Sequence, residues 1–333
     1  MTVFPKVYVI HENSAWLPPL RAAFEAQQTP YEEWLLDRLT VDLSTPPPDG
    51  VFFSRMSASN YTRGHVHANH STDIILRWLE AHGRRVINGS PVLQLEFSKA
   101  AQQIRLDQAG IATPKTVVAV GRDKIVEAAR ELNLAPFIVK PNQGGKGLGV
   151  QLFASVAELE QALESEGLPK TLDDVWLVQE KIASDEEHIT RAEFVGGKFL
   201  YAVNVFSGGS FELCPADVCN VDFADFCPAG SNETPEPLPE SGPRFEISSA
   251  PDLDLVAKLE KVLSDNGIEV AGIEYIRRPD GTPVVYDINT NTNYNAGAEE
   301  AAEVTAGGME TIAAFLADEL AALTDAEPLK ATA

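Results

Sequence analysis

The sequence predicts an α/β (α+β) fold in three units, and three observations carry that expectation. The chain opens on an alternation of strand, helix, strand and helix. Its middle holds a short apolar strand that ends in a lysine and runs into a glycine-rich loop. Its last part carries paired strands separated by hairpin signals.

In the first unit, residues 1–95, Lys6 to Ile10 reads as a short buried strand and Leu17 to Ala26 as a helix with Pro18 and Pro19 in its opening turn. Val51 to Phe53 is a further strand. Between Thr72 and Gly83, Ile75, Leu76 and Leu79 share one helical face and Gly83 supplies the stop. The PPPDG run, Pro46 to Gly50, reads as a turn inside this unit. The second unit, residues 96–177, opens at Ser98, an N-cap whose helix runs to Gly110, and Pro114 fixes the extended exit. A helix from Ile125 to Leu132 leads to FIVK and then to NQGGKGLG. Ser155 with Glu158 three residues on predicts a capping box for the helix that follows.

The third unit, residues 178–333, is led in by the strand WLVQEKI at Trp176. The strands ITRAEFV and FLYAVNVF follow, joined by Gly196 and Gly197. Pro228 to Pro243 is too rich in Pro, Glu and Ser to pack and reads as an exposed excursion. After a helix near Asp252 to Asn266, EVAGIEYIRR and PVVYDINTN form a hairpin around PDGT, and an alanine-rich helix starts at Met309. No repeat of fixed period is evident.

A chain of 333 residues, 44% hydrophobic, buries a substantial core. Its 26 Lys and Arg against 49 Asp and Glu give a formal charge of −23, which argues against nucleic acid and anionic membrane as partners. An anionic ligand then requires a local exception of cations, backbone N–H groups and divalent metal. The start, MTVFPKVYVIHEN, lacks the pattern of a secretory signal, and no apolar stretch reaches the roughly 18 residues of a membrane span. Cys214, Cys219 and Cys227 are odd in number and crowded, unlike a disulfide framework; they read as buried or loop thiols, with a metal site as the alternative. A cytoplasmic protein is the expectation.

Two constellations carry chemistry. FIVKPNQGGKGLGV, Phe137 to Val150, brings Lys140 next to glycines that let backbone N–H groups approach phosphate oxygens. It is not a Walker A loop, because Gly147 follows Lys146, and its G-x-G-x-G spacing is not a dinucleotide fingerprint. Alone, it also reads as a plain surface turn. Farther on, Asp287 and Asn289 share a strand face by their spacing of two, and Glu274 lies on the partner strand of the hairpin. Three oxygen donors of this kind suit magnesium completed by phosphate oxygens, the alternative being solvated hairpin charges. The stretch SRMSASNYTRGHVHANHSTD adds Arg55, Arg63, His65, His67 and His70, which suit a carboxylate, a metal or the cap of the next helix. Asp217 in ELCPAD borders an acceptor site or lies in a connecting loop.

From about Val86 onward the chain resembles the RimK-type carboxylate–amine ligases of the ATP-grasp superfamily. The likeness rests on INGSPVLQLEFSKAAQQIRLDQAGIATPKT, IVKPNQGGKGLGV, LVQEKI, EHITRAEFVGGKFLYAV, AGIEYI and VYDINTNTNYN in that order. It implies an N-terminal α/β domain on the substrate side, then a two-part ATP-grasp domain holding the nucleotide between two α+β subdomains. It implies that Lys99 and Lys140 hold ATP phosphates, that Gly144, Gly145, Lys146, Gly147 and Gly149 close over them, and that Gln179, Glu180, Lys181 and Ile182 form the hinge at the adenine edge. Glu187 would accept from the ribose. Glu274, Asp287 and Asn289 match the magnesium positions, with Glu then Asp where the family has Asp then Glu.

The same likeness makes Arg191, with Lys140, catalytic at the transferred phosphate, and sets Tyr294 and Asn295 on the substrate side. Asn204 stands where related strands often carry a second arginine. The implied activity is ATP-dependent joining of a small-molecule carboxylate to an amine, with ATP and two magnesium ions, or manganese in their place; a homo-oligomer stays open. The rival is an ATP-binding regulatory or scaffold protein without turnover, motivated by Asn204.

Overall fold

The computed structural model describes residues 4–36, 39–145, 147–165, 167–168, 170–206 and 244–326. Lys146, Asp217, the three cysteines and the 228–243 excursion lie outside the described residues.

The first sheet has the order β2-β1-β3-β4 and is parallel where registers pair: β1 (Lys6–His11), β2 (Tyr31–Leu35), β3 (Gly50–Ser54) and β4 (Arg85–Ile87). Helix α1 (Pro18–Ala26) packs on one face with Val7 and Val9, and α2 (Ala68–Ala81) on the other with Tyr8 and Ile10. Covering on both faces is why KVYVI is apolar without alternation. Strand β2 was not expected from sequence; its burial is only intermittent, so YEEWL carries little periodic signal.

Helix α3 (Ser90–Glu96), also unexpected, precedes α4 (Lys99–Gln108), which Ser98 caps by accepting from the Ala101 N–H at 3.2 Å. The sequence assigns α4 to the middle unit. Instead Leu106 and Ile111 sit in one core with Ala192, Phe194, Leu259 and Ile273 of the last unit, because that sheet offers the large apolar face.

The middle sheet is antiparallel, in the order β5-β8-β6-β7: β5 (Thr116–Val120), β6 (Phe137–Pro141), β7 (Gln151–Phe153) and β8 (Val175–Glu180). Helices α5 (Ile125–Leu132) and α6 (Val156–Glu164) cover one face with Phe137, Val139, Trp176 and Val178. Strand β8, expected to lead in the third unit, pairs here between β5 and β6. At α6, Ser155 accepts from Glu158 N–H as expected, while the Glu158 carboxylate takes the Ala154 N–H rather than that of Ser155 itself.

The third sheet, β11-β10-β9-β12-β13, comprises β9 (Ile189–Val195), β10 (Lys198–Phe206), β11 (Arg244–Ile247), β12 (Val270–Arg277) and β13 (Pro283–Asn289). Helix α7 (Leu253–Asn266) and α4 bury one face, leaving the other toward the middle unit. The short α8 (Ala296–Ala301) follows β13. The last helix, α9 (Gly308–Ala326), sets Ile312 and Leu316 into the core of the first sheet, where Val195 and Val270 join them.

Candidate functional site

Strand alternation builds the site. In β6, Phe137 and Val139 enter the core, so Ile138 and Lys140 face the opposite way. In β9, Ala192 and Phe194 enter the core and Arg191 and Glu193 emerge on the other face. Register sets Glu274 opposite Asp287 and also opposite Arg191. These faces enclose one cavity of about 950 Å³.

Its wall brings together Lys99, Lys140, Gly144, Gly145, Gly147, Gln179, Glu180, Lys181, Ile182, Glu187, Arg191, Glu274, Asp287 and Asn289. Gly149 stands just outside. Gly147 has φ +73°, a left-handed conformation that glycine alone adopts without strain. The Glu180 side chain is held by Arg278 at 2.8 and 3.0 Å, and its N–H donates to the Lys115 carbonyl at 2.8 Å. Gln179 donates to Thr116 Oγ1 at 2.9 Å.

The charges are buried, and Lys99 and Arg191 are paired with acids. Lys99 Nζ lies 2.5 Å from Asp287 Oδ1. Burial pulls the Lys99 ammonium down, but Asp287 and Glu274 outweigh it and its pKa lies above the ordinary lysine value. Among the described residues Lys140 has no such close partner: burial, then the charge of Lys99, lowers it to about 8. Its ammonium lies 5.9 Å from the Tyr286 ring centre. Burial raises the Glu274 carboxyl against the pull of Arg191. Arg191 pairs with Glu193 at 2.7 Å and Glu274 at 3.6 Å, and donates to Thr292 Oγ1. These acids keep it above its ordinary pKa despite burial.

Two carboxylates and one amide, with Asn289 Nδ2 donating to Glu274 Oε1 at 3.4 Å, make a hard-oxygen set too small to satisfy magnesium alone. Among the described residues no group of three or more His, Cys, Asp or Glu is gathered as for a metal. The donors fit magnesium when nucleotide oxygens complete the shell.

Several expected substrate residues stand elsewhere. Asn204 accepts from Thr190 Oγ1 at 3.2 Å on the opposite face of the sheet; the residue paired with Arg191 is Val203. Arg63 and His65 turn to the buried Glu12 carboxylate, with His65 Nδ1 2.7 Å from Glu12 Oε2, and Arg63 stacks 4.5 Å from the Trp16 ring centre. Both side chains are engaged by Glu12 rather than offered to a ligand. His67 occupies the N-cap of α2 without a side-chain cap bond. Arg55 is buried behind the cavity wall, donating to Asn291 and Asn293. Asn295 caps α8 by accepting from Ala298 N–H at 2.8 Å. Tyr294 borders a separate recess of about 20 Å³ beside Arg191 and Glu193.

Sequence reading missed Glu96, Glu193 and Gly272. Glu96 accepts from Ala58 N–H, Thr290 N–H and Thr290 Oγ1, at 3.0, 2.7 and 2.8 Å, and burial raises it to about 7. Glu193 is raised to about 7 by burial, partly opposed by Arg191. Gly272 underlies Arg191: a Cβ there would lie 2.4 Å from Arg191 Nε. The alternation in ITRAEFV carries a signal for Glu193, whereas nothing in AGIEY announces what lies over its glycine.

Known proteins share this architecture. Residues 98–212 match the RimK-like ATP-grasp domain. A probable alpha-L-glutamate ligase of Teredinibacter turnerae is 29% identical over 151 residues, 42% of this chain and 49% of that protein. The chain thus spans about half the length of the curated relative it matches. The RimK domain ATP-grasp protein of Sphaerobacter thermophilus superposes with a TM-score of 0.64 at 16% identity, covering 95% of this chain and 99% of that one. The ATP-grasp ligase PsnB, solved with a minimal precursor, Mg and ADP, gives 0.63 at 17% identity, covering 97% and 99%. Likeness at such identities speaks to fold. The chain has the ATP-grasp fold, and its residues 98–212 match the model of the RimK-like ATP-grasp domain.

Proposed function

We propose that this chain is an ATP- and magnesium-dependent ligase that joins a carboxylate to an amine through an acyl phosphate, releasing ADP and phosphate. One observation carries the reading: Lys140 and three glycines of its loop, Gly144, Gly145 and Gly147, share a single cavity with Glu274, Asp287 and Asn289. A triphosphate supplies the negative charge that Lys99 and Lys140 are arranged to meet, and a divalent cation offsets the acids that oppose it. The ligase names of the relatives favour the same chemistry.

An amine cannot displace oxide from a carboxylate, so the acid requires activation. In the proposed sequence a carboxylate oxygen attacks the γ-phosphorus, the bond to the β,γ-bridging oxygen breaks, and ADP leaves. The amine nitrogen then attacks the acyl carbon; phosphate departs with the bonding electrons and the amine's surplus proton. Arg191, held by Glu193, Glu274 and Thr292, is oriented for the charge on the transferring group, and Lys140 supplies a second cation. Bound magnesium, held by Glu274, Asp287 and Asn289, would supply Lewis-acid polarisation of phosphate oxygens. The hinge residues 179–182 and Glu187 line the remaining end for the adenosine.

The scaffold alternative loses its motive, since Asn204 lies across the sheet from Arg191. The test is release of ADP and phosphate over a panel of acids and amines. Dependence on both substrates supports the reading; ADP formation indifferent to the amine counts against it.

A further inference from the structure

Helix α4 is capped from two places in the chain, and one of them lies in the middle unit. The four N–H groups at the start of a helix find no partner inside it. Here Ser98 N–H donates to the Leu95 carbonyl at 3.2 Å and Ala101 N–H to Ser98 Oγ at 3.2 Å. Lys99 N–H and Ala100 N–H go instead to Asn142, the first to its carbonyl at 3.2 Å and the second to its Oδ1 at 3.1 Å. Asn142 directly follows β6, two residues past Lys140. Half the cap is thus supplied by the strand that carries Lys140.

The Asn142 carboxamide is fixed at both ends. Its Oδ1 also accepts from Ser98 Oγ at 3.2 Å, and its Nδ2 donates to Asp173 Oδ2 at 2.9 Å, just before β8. Turned over, it would set its NH₂ against the Ala100 N–H, so only one orientation serves. Asn142 is 8% exposed and lies behind the cavity wall rather than in it. A second contact closes the same gap: a Cβ on Gly145 would come 3.2 Å from Ser59 Cβ, so the glycine loop rests against the first unit. At its far end the middle unit is held by Arg278, through Glu180.

These contacts work against a repulsion. With the middle unit shut, the buried Lys140 ammonium shares one cavity with that of Lys99, and the two like charges oppose each other. We infer that Asn142 is a positioning residue of the cavity: by completing the cap of α4 it holds the middle unit shut before any ligand arrives, and so keeps Lys140 and Lys99 on one wall. It touches neither nucleotide nor substrate. What the two lysines meet rests on the ligase reading, which the inference deepens. A nucleotide then enters a site whose cations already stand in place, and binding does not have to order them.

The test reads how often Lys140 becomes accessible in the full chain without nucleotide. Amines are labelled with the N-hydroxysuccinimide ester of acetic acid, the rate at Lys140 is followed by peptide mass spectrometry, and the exposed Lys124 serves as the dose control. Asn142→Ala should label Lys140 about tenfold or more faster than wild type, with Lys124 unchanged and the amides of β6 and β8 still slow to exchange. The pair Asn142→Asp with Asp173→Asn keeps oxygens toward Ser98 and Ala100 and reverses the amide-to-carboxylate bond between the two positions. Its Lys140 rate should return to within about threefold of wild type. Equal Lys140 rates in wild type and Asn142→Ala, or a rise that the pair does not reverse, overturns the inference. Should Asn142→Ala melt the middle sheet, the pair alone decides, by restoring wild-type protection or failing to. Protection of Lys140 by MgADP in parallel wild-type samples judges the nucleotide reading separately, since the comparison of variants needs no ligand.

Discussion

Lys99 Nζ lies 2.5 Å from Asp287 Oδ1, a contact that joins the start of α4 to the end of β13 across 188 residues of sequence. The pair is largely buried, so each charge stabilises the other where water cannot. Removing one partner should cost about 3–5 kcal/mol, because a buried charge is left uncompensated. Asp287→Asn and Lys99→Met should each lower Tm more than the double variant does relative to either single, a positive coupling that a double-mutant cycle measures. Additive effects would show that the contact carries no energy.

Lys140 differs from Lys99 in having no close acid among the described residues, and burial brings it to about 8. Phosphate oxygens beside it would raise it again. Nucleotide binding at pH 8.5 should therefore take up at most about three quarters of a proton, read from the dependence of binding enthalpy on buffer ionisation heat. Lys140→Met should abolish that uptake and weaken binding about tenfold or more. Equal proton uptake in both proteins would assign it elsewhere.

Glu96 and Glu193 are each raised to about 7 from an ordinary value of 4.5. A carboxyl whose pKa is higher folded than unfolded binds its proton more tightly in the folded state. That contribution to stability is complete below pH 4.5 and is lost as pH rises through about 7. Glu193→Gln removes one such group, so its Tm relative to wild type should climb between pH 5 and 8. A flat difference would mean that Glu193 titrates alike in both states.

Arg191 lies over Gly272, where a Cβ would come within 2.4 Å of Nε. Gly272→Ala should push the guanidinium off Glu193 and Glu274. Misplacement by about 1 Å costs on the order of 10²-fold in turnover. Nucleotide affinity should stay within about threefold, since Lys99 and Lys140 are untouched. Steady-state rates and equilibrium titration separate the two; an equal loss in both would place Arg191 among the nucleotide-binding groups.

Much of this arrangement was legible because it is local. The spacing of two in VYDIN and the PDGT turn set Asp287 and Asn289 on one face and Glu274 on the partner strand, and Ser98 announced its helix. What stayed hidden depends on partners distant in sequence. Nothing in WLVQE says that it pairs with β5 and β6. Nor does the basic loop reveal that Glu12, some fifty residues earlier, captures Arg63 and His65. Asn204 is a site candidate only through the resemblance, as the position where related strands often carry a second arginine, but a one-residue step along a strand reverses the face and sets it opposite Thr190 rather than Arg191. The short strand β2 and helix α3 are stabilised by tertiary packing more than by periodicity.

The nucleotide site is tested most directly by ADP release over a matrix of amino acids and small acids with MgATP, wild type against Asp287→Ala. The proposed reaction requires equal amounts of ADP and phosphate, formed only when an acid and an amine are both present, and a loss of about 10²-fold or more in the variant. Turnover that persists in Asp287→Ala, or a wild-type chain that binds no MgATP, would contradict it.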